Sequence, residues 1–334
     1  LLTGPTVLAY AGMLILFVLI SLYSPGMLIL FVLISLYSPG FASPSHVSTL
    51  IVVASFTGIV AIGQTFVIIG GGIDLSVPWM LNCAAVMTTA MTRSDDAALL
   101  WAVPLILASG AVVGSLNGVG VALLRVPPII MTLATNVVLL GLLFIVTRGF
   151  PPPPTPKALQ YVANGRIGPV PVMGIVWLVL TILVLVVERL TAFGRYLYAI
   201  GSNTAVATLS GVPVIRTTIT AYAVSGLTAA LGGVLLTGYA KQSYLGMGNP
   251  YLFTSIAAVA IGGASILGGS GTYLGTVAGA LVLTILTGLL PIFRLDAGAL
   301  QVIYGAVILV TVSLAAPPVR AFLSRRRARE TRES

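Results

Sequence analysis

The chain has 334 residues, of which 58% are hydrophobic and only 7% are charged, against about 25% charged in an ordinary soluble domain. Its mean hydropathy is +1.11. These values predict an all-α, polytopic membrane protein, because nearly every apolar run has about the 20 residues that a spanning helix needs. The formal net charge of +9 comes largely from six arginines in the C-terminal segment 319–334. This cluster indicates contact with anionic membrane lipid at a cytoplasmic end, with no nucleic acid as partner.

The sequence lacks the residue patterns that catalysis or metal binding would require. One cysteine, Cys83, permits no disulfide within the chain, and one histidine, His46, argues against a zinc site. The GGSG at 268–271 has the form of a rhomboid protease motif, but those enzymes carry their histidine after the serine, whereas His46 lies far before it. Neither Lys157 nor Lys241 precedes Ser or Thr, so a Walker A motif is absent. We therefore expect no cofactor, no metal and no enzymatic activity in this polypeptide.

An exact repeat opens the chain. Gly12–Pro25 reads GMLILFVLISLYSP and recurs unchanged at Gly26–Pro39. A helix of that length reaches only about 21 Å, so the second copy does not add a full span, and we expect one crossing in this region. Further spans are expected at about 47–69, 76–92, 97–119, 127–147, 171–188, 217–240, 251–268, 272–290 and 297–315. The sequence thus predicts a membrane bundle of about ten transmembrane helices.

An even number of spans places both termini on one side of the membrane. With the basic tail in the cytoplasm, ten of the 16 Lys and Arg residues fall inside and six outside, as the positive-inside rule requires. The predicted organisation is a transmembrane domain over residues 1–318 and a basic cytoplasmic tail over 319–334. The domain includes an external loop at 148–170 and an internal loop at 189–216.

The stretch Gly63–Val77, GQTFVIIGGGIDLSV, sets three glycines and a carboxylate between apolar runs. Asp74 is the only acid among the first 94 residues. Ionisable groups and irregular backbone at membrane depth are costly unless protein or a water-filled cavity shields them, so this stretch predicts a broken helix that lines a transport pathway. A second interpretation, compatible with the first, is a tight turn in which Asp74 caps the next helix. The candidate pathway residues are Gln64, Gly70, Gly71, Gly72, Asp74, Ser76, Asn117 and Asn136, although the amides are equally suited to holding helices together.

The internal loop contains start and stop signals for a short helix. Ser202 or Asn203 is suited to cap its beginning, and Gly211 and Pro213 to end it. The alternative is an ordinary surface turn.

Glycines four residues apart, at 114 and 118 and at 271, 275 and 279, predict close helix packing.

Three stretches together resemble one protein family. GQTFVIIGGGIDLSV at 63–77, AIGSNTAVATLSGV at 199–212 and SIAAVAIGGASILGGSGTYLGTVAG at 255–279 are similar to segments of the permeases of ribose-type, simple-sugar ABC importers, and the resemblance covers roughly residues 45–315. It implies a subunit of the bacterial inner membrane that carries a monosaccharide into the cytoplasm by alternating access. The implied partners are a cytoplasmic ABC ATPase, an extracytoplasmic sugar-binding protein and a second permease copy, identical or not.

The resemblance also implies where the ATPase docks. The segment at 199–212 looks like the family's coupling loop, and the residues implied are Asn203, Ala205, Ala207, Leu209, Ser210 and Gly211. Two positions depart from the family pattern: Pro78 stands where glycine is usual, and Ser270 stands where arginine is expected.

Two other functions remain open from the sequence. A secondary transporter driven by an ion gradient would need ionisable groups in its core, for which Asp74 is the candidate. A membrane scaffold or receptor would need no pathway at all.

Overall fold

The computed structural model describes residues 25–37, 40–147, 153–293, 298, 301–306 and 309. All but the last residue of the first copy of the N-terminal repeat, the basic tail and much of the last expected span lie outside these residues. The helices are α1 Pro25–Tyr37, α2 Pro44–Ile69, α3 Val77–Thr92, α4 Leu99–Ala122, α5 Pro128–Thr147, α6 Lys157–Asn164, α7 Val172–Leu190, α8 Ala192–Ser202, α9 Thr204–Leu209, α10 Val214–Ala240, α11 Tyr251–Ile261 and α12 Tyr273–Phe293. Two antiparallel two-residue strands, β1 Arg166–Ile167 and β2 Val170–Pro171, complete the regular structure described.

The prediction of an all-α membrane bundle is confirmed. Within the described residues, five helices are long and apolar enough to cross a membrane, namely α2, α4, α5, α7 and α10. Shorter apolar helices, α11 and the segment of α12 from Tyr273 to Gly288, accompany them. The second copy of the repeat forms α1, which is 13 residues long and packs against α12.

One expected span is wrong. The sequence predicted a continuous helix over 251–268, but α11 ends at Ile261 and residues 262–272 form a loop, here called the glycine loop. The break begins at Gly263, whose φ of +85° is costly for any residue with a Cβ. The amides of Gly262, Gly263 and Ala264 bond back to carbonyls of the last turn of α11, so the helix end is closed without continuing.

Helix α10 lies at the centre of the bundle, packed against α2, α3 and α4. Its crossing with α4 depends on glycine: a Cβ at Gly114 would overlap the Tyr222 carbonyl, and one at Gly118 would overlap the backbone of Ile219. This confirms the packing role predicted for that pair. Gly279 similarly meets the backbone of Ala258 in α11, and Gly275 meets that of Gly262, the residue after this helix, whereas Gly271 belongs to the glycine loop.

We predict that Gly114→Ala destabilises the bundle, because its methyl group has no space against a backbone that cannot rotate away; overpacking of this kind typically costs about 1–3 kcal/mol. The matched control is Gly141→Ala, since nothing lies within 4 Å of a Cβ built there. Gly141→Ala should leave stability unchanged or raise it slightly through its better helix propensity. Melting temperatures of the purified proteins in one detergent compare the two, and equal values would contradict the close crossing.

Candidate functional site

The stretch singled out from the sequence is a break between two buried helices. Helix α2 ends at Ile69, α3 begins at Val77, and the chain between them is not helical. Gly71 has a φ of +84°, in the region that favours glycine. The amides of Gly70–Gly72 bond to carbonyls of the last turn of α2, which satisfies backbone groups that hydrocarbon would leave unpaired.

Asp74 is buried in this break, with 1% of its surface exposed. Its Oδ1 accepts hydrogen bonds from the Ser76 amide at 2.9 Å and the Ser76 hydroxyl at 2.6 Å, and its Oδ2 accepts one from the Ser225 hydroxyl at 2.7 Å. Three donors therefore compensate the desolvation of this carboxyl group. The alternative in which Asp74 caps α3 is wrong, because Ser76 occupies the N-cap position.

The contacts of Asp74 continue into a chain of hydrogen bonds. The Asn117 amide group donates to the Ser76 hydroxyl at 3.0 Å, and Asn117 accepts from the Thr135 hydroxyl at 2.6 Å. Since Asn117 lies on α4, Thr135 on α5 and Ser225 on α10, the chain joins the break to three helices. We call Asp74, Ser76, Asn117, Thr135 and Ser225 the Asp74 cluster.

Pro78, one of the departures from the family pattern, fits its position. It lies in the first turn of α3, where a helix has unpaired amides in any case, so the missing N–H of proline costs nothing there. Ser270, the other departure, is exposed in the glycine loop, and its carbonyl accepts from the Ser265 amide at 3.0 Å.

Two cavities flank the Asp74 cluster. The first, of about 650 Å³, is lined mainly by uncharged polar and aromatic residues, including Trp79, Asn136, Tyr244, Asn249, Tyr251, Gln301 and Tyr304. The second, of about 700 Å³, is lined by residues that include Gly70, Gly71, Gly72, Arg125, Thr204, Thr208, Arg216 and Tyr222. Both volumes fall in the range of about 300–1,000 Å³ typical of ligand pockets.

The cavities lie at opposite ends of the same helices. On α10, Tyr222 lines the second cavity and Leu236 the first, and Ser225 lies between them. Along the break, Gly72 lines the second cavity and Pro78 the first, with Asp74 between. Both segments therefore place the Asp74 cluster between the two cavities.

The structure brings together some of the predicted pathway residues and separates others. Asp74, Ser76 and Asn117 form one cluster, and Gly70–Gly72 line the second cavity. Asn136 lines the first cavity, and its Oδ1 has no hydrogen-bond partner among the described residues. Gln64 is fully buried in α2 and lines neither cavity; neither polar atom of its amide has a partner within the described part of the chain.

The short helix expected in the internal loop is present as α9. Asn203 caps it, since its Oδ1 accepts from the Val206 amide at 3.0 Å, and Gly211 follows its end with a φ of +79°. Ala205, Leu209, Ser210 and Gly211 are exposed. Ala207, which the sequence placed on the same surface, is instead buried at 3% exposure, so it packs against its own chain.

Comparison with known proteins agrees with this architecture. Residues 46–312 match the family described as the branched-chain amino acid transport system, permease component. The chain belongs to this family. As a permease with several apolar helices, it is a multi-pass membrane protein whose role is transport rather than chemical conversion.

Individual permeases of the family are similar over most of their length. The ribose import permease of Bacillus subtilis is 34% identical over 307 residues, 91% of each chain. That of Escherichia coli K12 is 34% identical over 266 residues, 77% of this chain and 81% of the relative. The xylose transport system permease of the same strain is 29% identical over 337 residues, 81% and 85%. The resemblance read from the sequence is confirmed; no solved structure matches the permease.

Sequence reasoning missed two buried polar residues of the permease, Ser225 and Glu188. Ser225 is an ordinary serine in an apolar helix, and nothing local marks it as a partner of Asp74. Glu188 is different: it is an acid at the end of an apolar run, buried at 3% exposure, and an ionisable residue in such a run is a functional candidate by default. That signal was present in the sequence.

We predict graded effects of substitution at Asp74. In Asp74→Asn, the amide oxygen can still accept from both Ser76 groups while the Ser225 hydroxyl rotates to accept from the new N–H, so the loss is small. In Asp74→Leu, the three donors lose their acceptor, and each buried unpaired group costs about 1–3 kcal/mol. Melting temperatures should fall in the order parent, Asn, Leu. Asp95→Asn is the control, because Asp95 is exposed; an Asp74→Leu variant as stable as this control would refute the role given to the cluster.

Proposed function

We propose that this permease is the membrane-spanning subunit of an ATP-driven importer of the bacterial inner membrane that carries a monosaccharide into the cytoplasm by alternating access. The observation that carries the proposal is the position of the Asp74 cluster between two cavities at opposite ends of α10. In alternating access, a substrate site opens to one side at a time, which requires a closed, movable barrier between two compartments. The break at 70–76 supplies one, because its glycines lower the cost of a change in backbone angles.

The first cavity favours a neutral, hydroxyl-rich cargo. Within the described lining, the polar side-chain groups are amides and hydroxyls, which both donate and accept hydrogen bonds as sugar hydroxyls do, and the indole N–H of Trp79, which donates. No residue of this described lining is charged. The family description names branched-chain amino acids, but a zwitterion would need partners for its carboxylate and ammonium groups. Relatives named as ribose and xylose permeases add support for a sugar.

ATP hydrolysis is assigned to a separate cytoplasmic ABC ATPase, because the chain has no Walker A lysine. A second permease, identical or not, and an extracytoplasmic sugar-binding protein complete the proposed importer. A relative named as an inner-membrane ABC transporter permease, 34% identical over 247 residues, supports the location. We also propose that both termini lie in the cytoplasm, as the six arginines of segment 319–334 indicate. Large apolar side chains exposed on α4 and α5 are available to lipid or to the second permease.

We assign docking of the ATPase to residues 203–211. Helix α9 is capped at both ends, so it keeps its shape, and Leu209 stands out from it with 89% of its surface exposed. A short helix that presents an apolar side chain is suited to a groove on a partner.

Uptake into vesicles tests the proposal. The permease and its ATPase are reconstituted into proteoliposomes, and the sugar-binding protein is supplied on the side of the membrane opposite the ATPase. Labelled D-ribose or D-xylose should then cross to the ATPase side only when ATP is supplied there. An ionophore should have no effect, because no ion gradient drives the cycle. Uptake that stops with the ionophore and ignores ATP would indicate a secondary transporter, and uptake of L-leucine without either sugar would contradict the cargo.

The docking assignment predicts the effect of Leu209→Arg. A charge placed in an apolar groove is desolvated without a partner, so association with the ATPase and sugar-stimulated ATP hydrolysis should fall together, by about tenfold or more. The control is Ile167→Arg, the same kind of change at an exposed aliphatic side chain in β1, within the external loop. Normal association of Leu209→Arg with the ATPase would place the docking site elsewhere, for example around Arg125.

A further inference from the structure

Glu188 and Tyr198 connect α7, α8, the glycine loop and the start of α12 through hydrogen bonds. Glu188 lies near the end of α7, and its two oxygens have different partners. Its Oε2 accepts from the amide of Tyr273, the first residue of α12, at 2.8 Å, and its Oε1 lies 2.8 Å from the hydroxyl of Tyr198 on α8. The carboxylate thus satisfies an unpaired amide at a helix N-terminus, a favourable place for a negative charge, and fixes the ring of Tyr198 beside it.

The Tyr198 hydroxyl faces a second acceptor. It lies 2.8 Å from the carbonyl oxygen of Gly271, in the glycine loop, as well as from Glu188. A phenol has a single proton, so it donates fully to one acceptor at a time. Burial, with the hydrogen bond to Glu188, raises the pKa of Tyr198, so the hydroxyl keeps that proton at neutral pH. The Tyr198 hydroxyl can therefore transfer its hydrogen bond between the Gly271 carbonyl and Glu188 at a low cost in free energy.

The glycine loop in turn touches the break below α2. The Gly269 amide donates at 2.9 Å to the carbonyl of Ile69, which is the last residue of α2. A Cβ at Gly268 would lie within 3.0 Å of both Gly71 and Gly201. Movement of the glycine loop therefore displaces the backbone of the break at 70–76, which carries Asp74 and Ser76.

Helix α8 is joined stiffly to α9. A single residue, Asn203, separates the two helices; its amide donates to the Ala199 carbonyl at 3.1 Å, and the Thr204 hydroxyl donates to the Ile200 carbonyl at 3.0 Å. A displacement of α9 consequently carries α8, and Tyr198 with it.

We propose that Tyr198 is a positioning residue that links α9 to the glycine loop, with Glu188 as the support that holds its ring. When α9 moves, the Tyr198 hydroxyl passes its hydrogen bond from Gly271 to Glu188 and releases the loop, and through it the break at 70–76. This inference rests on the proposed docking of an ATPase at α9, but the link itself is a property of the permease alone.

The link is tested on the full chain without partners. Spin labels at Val206→Cys in α9 and Leu267→Cys in the glycine loop, both exposed positions, report the distance between the two elements in a Cys83→Ala background. The parent should give one narrow distance distribution. Tyr198→Phe should broaden it, because the Tyr198 hydroxyl donates the hydrogen bond that joins α8 to the loop. Tyr196→Phe is the control: it removes a hydroxyl from the same helix that makes no hydrogen bond recorded among the described residues.

Glu188 supplies two further variants. In Glu188→Gln, the side-chain oxygen can accept from the Tyr273 amide while the new N–H₂ donates to Tyr198, whose proton stays on Gly271, so the narrow distribution should be kept. Glu188→Ala should lose it. A distribution for Tyr198→Phe or Glu188→Ala that superimposes on the parent would overturn the proposal.

A second measurement separates this link from docking. In the assembled importer, Tyr198→Phe should co-purify with the ATPase at parental yield, yet move about threefold fewer D-ribose molecules per ATP hydrolysed, the factor expected for one lost hydrogen bond. Glu188→Gln should lower the ratio as well, although it keeps the loop in place, because its N–H₂ group cannot accept the hydrogen bond that Tyr198 passes from Gly271. If Leu209→Arg uncouples transport and Tyr198→Phe does not, docking at α9 stands and the link is wrong.

Discussion

The pairing of backbone groups where α2 stops inside the bundle constrains much of the structure. Hydrocarbon offers no water to unpaired amides and carbonyls, so a chain that leaves helical geometry at membrane depth must find partners in protein. Gly70–Gly72 close the helix end on themselves, Gly269 donates to Ile69, and Leu75 donates to the Thr132 hydroxyl at 3.0 Å. The glycine loop and α5 thus lie beside the break because they supply hydrogen-bond partners for its backbone groups.

Local geometry was the part of this fold most accessible from the sequence. Helices α2, α9 and α11 end with the same arrangement, in which a glycine at positive φ follows the helix and three amides bond back to its last turn. Gly71, Gly211 and Gly263 occupy that position. Such an end depends on a few neighbouring residues, so the glycine pattern predicted the break below α2 and the end of α9. The same reasoning applied at Gly263 would have shortened the span drawn to residue 268.

Contacts between distant segments were not accessible in this way. Ser225 is 151 residues away from Asp74 in the sequence. That this hydroxyl, and not another, donates to Asp74 depends on how α10 is rotated within the bundle. Ala207 shows the same limit: it was one of six residues assigned to ATPase docking, and the rotation of α9 turns its side chain inward. Amide side chains divided similarly, since Asn117 joined the cluster while Gln64 did not. The sequence shows which residue types are present, but the direction in which each side chain points depends on how the helices pack.

The uncharged lining of the first cavity has a consequence for energetics. A charge crossing the membrane exchanges about 2.3 kcal/mol with each 100 mV of membrane potential, whereas a neutral sugar exchanges none. The membrane potential therefore neither drives nor opposes transport of such a cargo, and the described lining of the cavity contains no charged side chain that would attract a cation or an anion. In the proposed importer, accumulation of a neutral sugar against its concentration gradient would draw on the nucleotide cycle of the ATPase and not on the membrane potential.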